Sequence, residues 1–408
     1  MYGRILFSVY NLKSIVFHYI CQMQLSVIIL NYNVRYFLEQ CMASIQEALS
    51  NIDSEIIVVD NNSSDDSCEM MKSRFPNVKL IENTANSGFP KGNNIGVAQA
   101  KGDYVCILNP DTVVAEDTFS KILAFAEKQK NIGIVGCKLI DGTGNFLPES
   151  KRGVPTPFVA FTKIFGLYKL FPKTTFFNRY YAQHLSENET GKVDILVGAF
   201  MVMKRDLYLE IGGFDENCFM YSDDIDLSYM ALKKGKSNYY YHETTVIHYK
   251  GESTIKDGLY MKRFREAMQF FYKKHFKSSF IFDVFMKIGA FFFALVKKNQ
   301  SKLKLLQVEE YVLFSQDKNL KNKLELQLHK KLHWQSKIEV NTLFSHSISN
   351  TKQTEILLDN ADLSFKEIIS FLEANKNQGF TFKIIPKNTF FMIGSNNSND
   401  KGTFIIID

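Results

Sequence analysis

The chain has 408 residues, 45% hydrophobic and 23% charged, a composition that supports a sizeable core and excludes global disorder. Its formal net charge is +6, and its lysines are spread along the sequence, which argues against a nucleic-acid-binding protein. The six cysteines form no CxxC pair and no zinc-type spacing, so we expect free thiols in a reducing cytoplasm.

Residues 1–22 contain apolar stretches that polar residues interrupt, including Arg4, Lys13 and His18. No small-residue cleavage site follows them. The pattern suits neither a signal peptide nor a spanning helix. We expect a dispensable N-terminal extension, with Met23 as an alternative start.

Short apolar runs alternate with segments of helical spacing from residue 25 to about 140. The runs predict buried strands at Leu25–Leu30, Glu55–Val59, Val78–Glu82 and Tyr104–Leu108, with helices at Tyr36–Leu49, Ser67–Phe75 and Gly92–Ala100. This order predicts an α/β fold with a largely parallel, Rossmann-like sheet, in which ligands bind at the carboxyl ends of the strands.

Residues 141–192 contain four prolines and many aromatic residues, which predicts long loops around a cleft. A strand is predicted at Val193–Lys204, a helix at Asp223–Gly235 and another strand at Asn238–His248.

The Phe-rich segment Phe280–Val296 is interrupted by Asp283 and Lys287 and has lysines on both sides. These features favour a helix lying on an anionic membrane surface over a spanning helix, with a helix packed on the protein as the alternative. We predict a helical linker at 300–335 and strand–helix–strand segments after 339. The predicted divisions are an extension (1–22), a catalytic domain (23–275), a membrane-associating or linker segment (276–338) and a small α/β module (339–408).

Acidic and amide side chains follow the predicted strands. Asp60 ends the second strand and could accept a hydrogen bond from a pyrimidine imide, although the same residues suit a capped turn. The segment 86–94 has two glycines and several amides before a helix, which suits close approach to a nucleotide. Asp111 follows the strand at 104–108 and could reach a divalent ion or simply cap a helix.

Three carboxylates, Asp223, Asp224 and Asp226, begin the predicted helix at 223–235. Mutual repulsion can raise a carboxyl pKa into the range of a general base, whereas compensation of the helix dipole is the simpler interpretation. Aromatic residues, including Phe219 and Tyr221, precede these carboxylates, and their presence favours the general-base interpretation over dipole compensation.

In order and spacing, these motifs resemble family 2 glycosyltransferases with a GT-A fold, particularly the rhamnosyltransferase-like branch that builds bacterial surface polysaccharides. The resemblance covers residues 23 to about 275. It rests on SVIILNYN (26–33), VVDNNSSD (58–65), NSGFPKGNN (86–94), LNPDT (108–112), VGAFMVMKR (197–205), IGGFDENCFMYSDDIDLSYM (211–230) and VIHYKGEST (246–254).

The resemblance implies a divalent metal, Mg²⁺ or Mn²⁺, held by Asp111 and His248, and a catalytic base at Asp224 beside Asp223. It also implies a nucleoside-diphosphate-sugar site. The residues expected to contact this sugar donor are Asn31, Asp60, Asn62, Asn86, Gly88, Phe89, Asn94, Asn109 and Asp226.

Two positions depart from the family pattern. Asn109 stands where many relatives have Asp, and Met230 where they often have Arg. The chain also lacks a QxxRW motif, since its one tryptophan is Trp334, so processive synthesis is not expected.

The resemblance therefore predicts an inverting transferase that moves a single sugar, with rhamnose as one candidate, to a lipid-linked or polysaccharide acceptor. We expect it in the cytoplasm, peripherally associated with the inner membrane. A catalytically silent nucleotide-sugar-binding subunit of a glycan assembly complex is the alternative. A nucleotidylyltransferase is disfavoured because residues 30–36 contain no glycine for a triphosphate loop.

Overall fold

The computed structural model describes residues 23–156, 158–159, 162, 179–250, 258–276, 308–336, 353–396 and 402–408. The predicted extension at 1–22 and the Phe-rich segment at 280–296 lie outside the described residues.

The N-terminal part is built on a mixed sheet with helices on its faces. Its strands are β1 (Leu25–Asn31), β2 (Ser54–Asp60), β3 (Lys79–Glu82), β4 (Tyr104–Leu108), β5 (Thr112–Val113), β6 (Ile132–Ile140), β7 (Gly191–Val193), β8 (Phe200–Lys204) and β9 (Ser237–His248). Its helices are α1 (Arg35–Ala48), α2 (Ser67–Arg74), α3 (Gly88–Val97), α4 (Thr118–Glu127), α5 (Arg205–Glu210), α6 (Asp223–Lys233) and α7 (Gly258–His275), and a short 3-10 turn spans Pro148–Ser150.

The strand order is β3-β2-β1-β4-β8-β6-β9-β5, with β7 paired to β9. Strands β3, β2, β1 and β4 are mutually parallel, whereas β8 runs antiparallel to β4 and β6. Strands β1 and β4 are almost entirely buried because helices cover both sheet faces, as their unbroken apolar runs predict. The predicted Rossmann-like mixed α/β fold is confirmed.

The strand predicted at 193–204 is wrong in one respect, because it is interrupted. Strand β7 ends at Val193, and β8 begins only at Phe200. Between them, Arg152 pairs with Ile195, and the Gly198 N–H donates to the side chain of Asp224. These contacts divert the backbone from the sheet ladder, and an apolar run in the sequence cannot reveal them.

A second sheet forms the C-terminal part. It comprises β10 (Glu310–Phe314), β11 (Leu332–Gln335), β12 (Thr354–Asp359), β13 (Thr381–Ile385), β14 (Phe391–Gly394) and β15 (Thr403–Ile406), with helices α8 (Lys318–Leu328) and α9 (Phe365–Ala374). Its order is β11-β10-β12-β13-β14-β15.

The helical linker predicted at 300–335 is therefore corrected over its described part. Only α8 is helical there, and β10 pairs in parallel with both β11 and β12. The sheet thus continues across the predicted boundary at residue 338. Strand β10 is a run of only five residues, too short for its apolar pattern to distinguish strand from helix.

The two sheets share one apolar cluster, which we call the inter-sheet core. It joins Val113, Ile140 and Ile247 of the first sheet to residues of the second, including Val312, Ile356, Phe365, Phe371 and Phe382. The Glu116 carboxylate accepts hydrogen bonds from the N–H groups of Phe365 (2.7 Å) and Lys366 (2.9 Å) and so caps α9 from the other part of the chain.

Within the described residues, no helix combines the length and apolarity needed to cross a bilayer. The cysteines at 41, 68, 106, 137 and 218 are free thiols, in agreement with the expectation from their spacing.

Candidate active site

The carboxyl ends of β1 and β2 meet at one edge of the sheet. Asn31 donates through Nδ2 to Asp60 Oδ1 (2.8 Å) and to Ser63 Oγ (3.1 Å). Ser63 donates to both Asp60 oxygens, from Oγ at 2.6 Å and from its backbone N–H at 2.8 Å. Asn31 and Asp60 are both buried. These hydrogen bonds therefore fix their side chains at an edge of the sheet where the base of a nucleotide could bind.

Asn61 links this edge to the glycine-containing loop. Its Nδ2 donates to Asn86 Oδ1 (3.0 Å) and to the Gly88 carbonyl (3.3 Å), and its Oδ1 accepts from Ser87 Oγ (2.9 Å). The next residue, Asn62, adopts a left-handed backbone conformation (φ 65°) and is exposed, so its side chain is accessible to a ligand. Asn62 was a candidate predicted from the sequence, whereas Asn61 was not.

Gly88 adopts φ +80° at the start of α3, and a Cβ there would lie 2.9 Å from the ring of Phe219. The adjacent Phe89 N–H donates to the Phe219 carbonyl (3.2 Å). The loop thus contacts the segment that precedes the acidic helix α6. Phe219 itself is 45% exposed.

Asn94 is placed differently from its predicted role. Its Oδ1 accepts from Tyr208 (2.6 Å) and from the Phe214 N–H (3.1 Å), and its Nδ2 donates to the Phe214 carbonyl (2.9 Å). These contacts join α3 to the turn after α5. They do not support contact with the sugar donor, which stays a prediction.

The two predicted metal ligands lie together across the β5–β9 pair. Asp111 Oδ1 is 3.4 Å from His248 Nε2, and Asn109 Nδ2 is 3.3 Å from the same nitrogen. His248 Nδ1 is buried and has no hydrogen-bond partner among the described residues. A carboxylate oxygen and an imidazole nitrogen are suitable ligands for Mn²⁺, and a carboxylate also suits Mg²⁺.

Within the described ranges, no three His, Cys, Asp or Glu side chains converge as a metal site. Asp111 and His248 are thus the two side chains of the predicted metal site that the structure brings together.

Helix α6 begins with two buried carboxylates in different surroundings. Asp224 Oδ2 accepts from Arg152 (2.5 Å) and from the Gly198 N–H (3.1 Å). Burial, followed by the negative charge of Asp224, raises the pKa of Asp223 to about 7. Asp224 therefore forms an ion pair with Arg152, whereas its neighbour Asp223 retains its proton to a higher pH than an ordinary aspartate.

Asp226 belongs to a separate network. Its carboxylate accepts from Lys274 (2.8 Å) and is 2.5 Å from His275 Nε2, which ties α6 to the end of α7. Its predicted contact with the sugar donor is not supported by these pairings and stays a prediction.

A short segment that ends just before β8 links the two groups of candidate residues. The Gly198 N–H contacts Asp224, and the next residue, Ala199, accepts through its carbonyl from the Asn109 N–H at 3.0 Å. Asn109 in turn contacts His248 through its side chain at 3.3 Å, so residues 198–199 connect Asp224 to the neighbour of the Asp111–His248 pair.

Arg152 is the site residue that the sequence analysis missed. It lies in the Pro-rich stretch 141–192, where no periodic pattern places a side chain, and its partner Asp224 is 72 residues away. The Lys151–Arg152 dipeptide before Gly153 carries no motif that could have found it.

A family model described as "Glycosyl transferase family 2" matches residues 26–212, which include the strand-end residues and Arg152. The matched region is a family 2 glycosyltransferase domain.

The relatives of this glycosyltransferase include an N-acetylglucosaminyl-diphospho-decaprenol L-rhamnosyltransferase of Mycobacterium tuberculosis, 27% identical over 244 residues, or 57% of this chain and 78% of the relative. A poly(ribitol-phosphate) beta-glucosyltransferase of Bacillus spizizenii is 28% identical over 221 residues, or 52% of this chain and 33% of the relative. Among solved structures, the mannosyltransferase PcManGT from Pyrobaculum calidifontis in complex with GDP-Man and Mn²⁺ is 19% identical, with a TM-score of 0.45 over 69% of this chain and 77% of that one.

Proposed function

We propose that this enzyme transfers a single sugar, with rhamnose as the first candidate, from a nucleoside-diphosphate donor to a lipid-linked or oligosaccharide acceptor in cell-surface glycan biosynthesis. The observation that carries the proposal is the connection of the Asp223–Asp224 and Asp111–His248 pairs through residues 198–199. This segment contacts Asp224 on one side and Asn109, the neighbour of His248, on the other. A displacement at a sugar carbon needs a base for the acceptor hydroxyl and positive charge at the leaving diphosphate, and the two pairs could supply them.

In the proposed reaction, Asp224 takes the proton of the acceptor hydroxyl as that oxygen bonds to the anomeric carbon. The bond from this carbon to the diphosphate oxygen breaks, and its electron pair leaves with the diphosphate, so the configuration inverts. Asp60 and Asn62 would contact the base of the nucleotide, and the N-terminal turn of α3, which contains Gly88, would lie near the diphosphate.

A divalent ion held by Asp111 and His248 would offset the charge that develops on the diphosphate. Asn109 cannot contribute a carboxylate, and its side-chain amide contacts the same His248 Nε2 at 3.3 Å, so an ion bound at that nitrogen would displace this contact.

Two relatives support the choice of acceptor. The mycobacterial relative is named for a substrate on a decaprenol lipid, and the Bacillus relative for a poly(ribitol phosphate) polymer. We therefore propose action at the cytoplasmic face of the membrane through peripheral association, with 280–296 as the membrane-contacting segment.

A panel of nucleotide-sugars tests the proposed substrate and metal. Purified full-length protein is incubated with each sugar donor and Mn²⁺, Mg²⁺ or EDTA, and released nucleoside diphosphate and nucleotide binding are measured. We expect turnover of one donor that EDTA and Asp111→Ala abolish, whereas Asp206→Ala, at a carboxylate whose side chain is 92% exposed, leaves it unchanged. Failure of every nucleotide to bind in the presence of metal would contradict the proposal.

A further inference from the structure

Arg152, whose side chain is 12% exposed, is held through both its backbone and its guanidinium. Its backbone N–H and carbonyl exchange hydrogen bonds of 2.9 Å each with Ile195. At the other end, Nη2 donates to the Leu196 carbonyl (3.0 Å) and to Asp224 Oδ2 (2.5 Å). A planar guanidinium held in this way can fix the orientation of a carboxylate as well as its charge.

The contacts of Asp224 distinguish its two oxygens. The hydrogen bonds from Arg152 and from the Gly198 N–H both fall on Oδ2. Within the part of the chain that the structure describes, these side-chain hydrogen bonds leave Oδ1 as the oxygen for an incoming hydroxyl. A base must have one oxygen within hydrogen-bond reach of the proton it abstracts, so rotation of this carboxylate would remove the reactive geometry.

We propose that Arg152 is a positioning residue for the transfer reaction: it holds Asp224 by Oδ2 so that Oδ1 receives the acceptor proton. This inference rests on the proposed function, because it assumes that Asp224 is the base. The Arg152 guanidinium would not contact the sugar donor, and its effect would pass through Asp224 alone.

The charged neighbours of this pair make the inference testable by pH. Asp223 lies beside Asp224 on α6, Gly198 contributes an N–H, and Tyr180 and Glu149 act on Arg152 from the 141–192 stretch. Arg152 is thus the cation that contacts Asp224, and Asp223 is the like charge beside it.

The test compares Arg152→Gln and Arg152→Lys in the full chain with Arg265→Gln, an exposed arginine on α7. We expect Arg152→Gln to lower kcat roughly a hundredfold, the cost of a misplaced catalytic group. The KM for the sugar donor should stay within about twofold, because the donor-binding edge is untouched. The acid limb of the pH profile should move to higher pH, because the substitution removes the cation beside the carboxylate. Arg152→Lys should restore most of the pH profile and only part of kcat.

Two results would overturn the inference. If Arg152→Gln lost activity while the acid limb of the pH profile did not move, Arg152 would have a structural role. If Arg152→Gln lost nucleotide affinity to the same extent as activity, Arg152 would have a role in binding the sugar donor. A double variant separates the remaining cases: in an Asp224→Asn background, Arg152→Gln should change residual activity less than twofold. If Asp224→Asn alone retained full activity, the proposed base would be wrong. If Asp224→Asn were inactive and Arg152→Gln were normal, only the role of Arg152 would fail.

Discussion

Two adjacent carboxylates at the start of α6 show how local surroundings assign different chemistry to identical side chains. Asp224 accepts from Arg152 and Gly198, whereas burial and then the charge of Asp224 raise the pKa of Asp223. In the unfolded chain both would titrate as ordinary aspartates. The folded protein therefore favours the protonated form of Asp223 between its unfolded pKa and about 7.

This difference predicts a pH-dependent effect of Asp223→Asn on stability. A raised folded-state pKa means that the stabilising contribution of Asp223 is fully present below its unfolded pKa and is lost as the pH rises through about 7. We expect Asp223→Asn to raise the free energy of unfolding by about 1–3 kcal/mol at pH 8 and by much less at pH 5. Urea unfolding at the two pH values measures this, and an equal effect at both would contradict the prediction.

The site residues predictable from sequence are those that follow buried strands. Asp60 and Asp111 come directly after apolar runs, so the sheet fixes their positions once the strands are recognised. Asn94 was inferred from a motif alone, and the structure uses its amide to join α3 to the turn after α5. Arg152 could not be inferred because it depends on a long-range contact from an irregular segment.

Among the secondary-structure elements, α3 begins at a glycine whose conformation and surroundings both matter. Gly88 and Gly379 have nearly the same φ, +80° and +81°, but an added Cβ at Gly379 meets nothing within 4 Å. At Gly88 the same Cβ would press on Phe219. Comparing substitutions at Gly88 and Gly379 therefore separates the free-energy cost of a left-handed backbone from the cost of a steric clash.

We expect both Gly88→Ala and Gly379→Ala to lose about 1–2 kcal/mol of stability from the left-handed backbone. Only Gly88→Ala should also raise the KM for the sugar donor, because it displaces the segment between α3 and α6. Thermal unfolding and steady-state kinetics check the two effects. Equal KM values for both variants would show that the contact with Phe219 does not shape the donor site.

Elements with long, uniform patterns were predictable, whereas those defined by a few tertiary contacts were not. Strands β1 and β4 follow from their apolar runs, and α1 from its helical spacing. Strands β10 and β11 have five and four residues, and only pairing with their neighbours makes them part of a sheet. The break between β7 and β8 likewise depends on Arg152 and Asp224.

At the level of the whole molecule, the C-terminal sheet packs on the part of the catalytic domain that carries the proposed metal ligands. Val113 and Ile247, each close in sequence to Asp111 or His248, belong to the inter-sheet core. The sequence predicts residues 339–408 only as a small α/β module. The described contacts show that this part of the chain already covers one face of its own catalytic domain.

This packing predicts that the two parts unfold together. Phe371, buried between Phe314 and Phe382, should cost about 3–5 kcal/mol when replaced by alanine. Leu326→Ala, at a side chain that is 76% exposed, is the matched control. Fluorescence of Trp334, the one tryptophan, follows the C-terminal sheet, and nucleotide binding follows the catalytic domain. We expect coincident transitions, and separate midpoints would contradict this account.

The most direct test of the proposed reaction is the kcat of Asp224→Asn with the sugar donor identified from the nucleotide panel. The substitution preserves shape and removes the proton acceptor, so we expect kcat to fall about 10²–10⁴-fold while nucleotide affinity stays within about twofold. Asp206→Asn provides the exposed control. A variant Asp224→Asn that binds nucleotide and transfers sugar at the wild-type rate would contradict the assignment of Asp224 as the base.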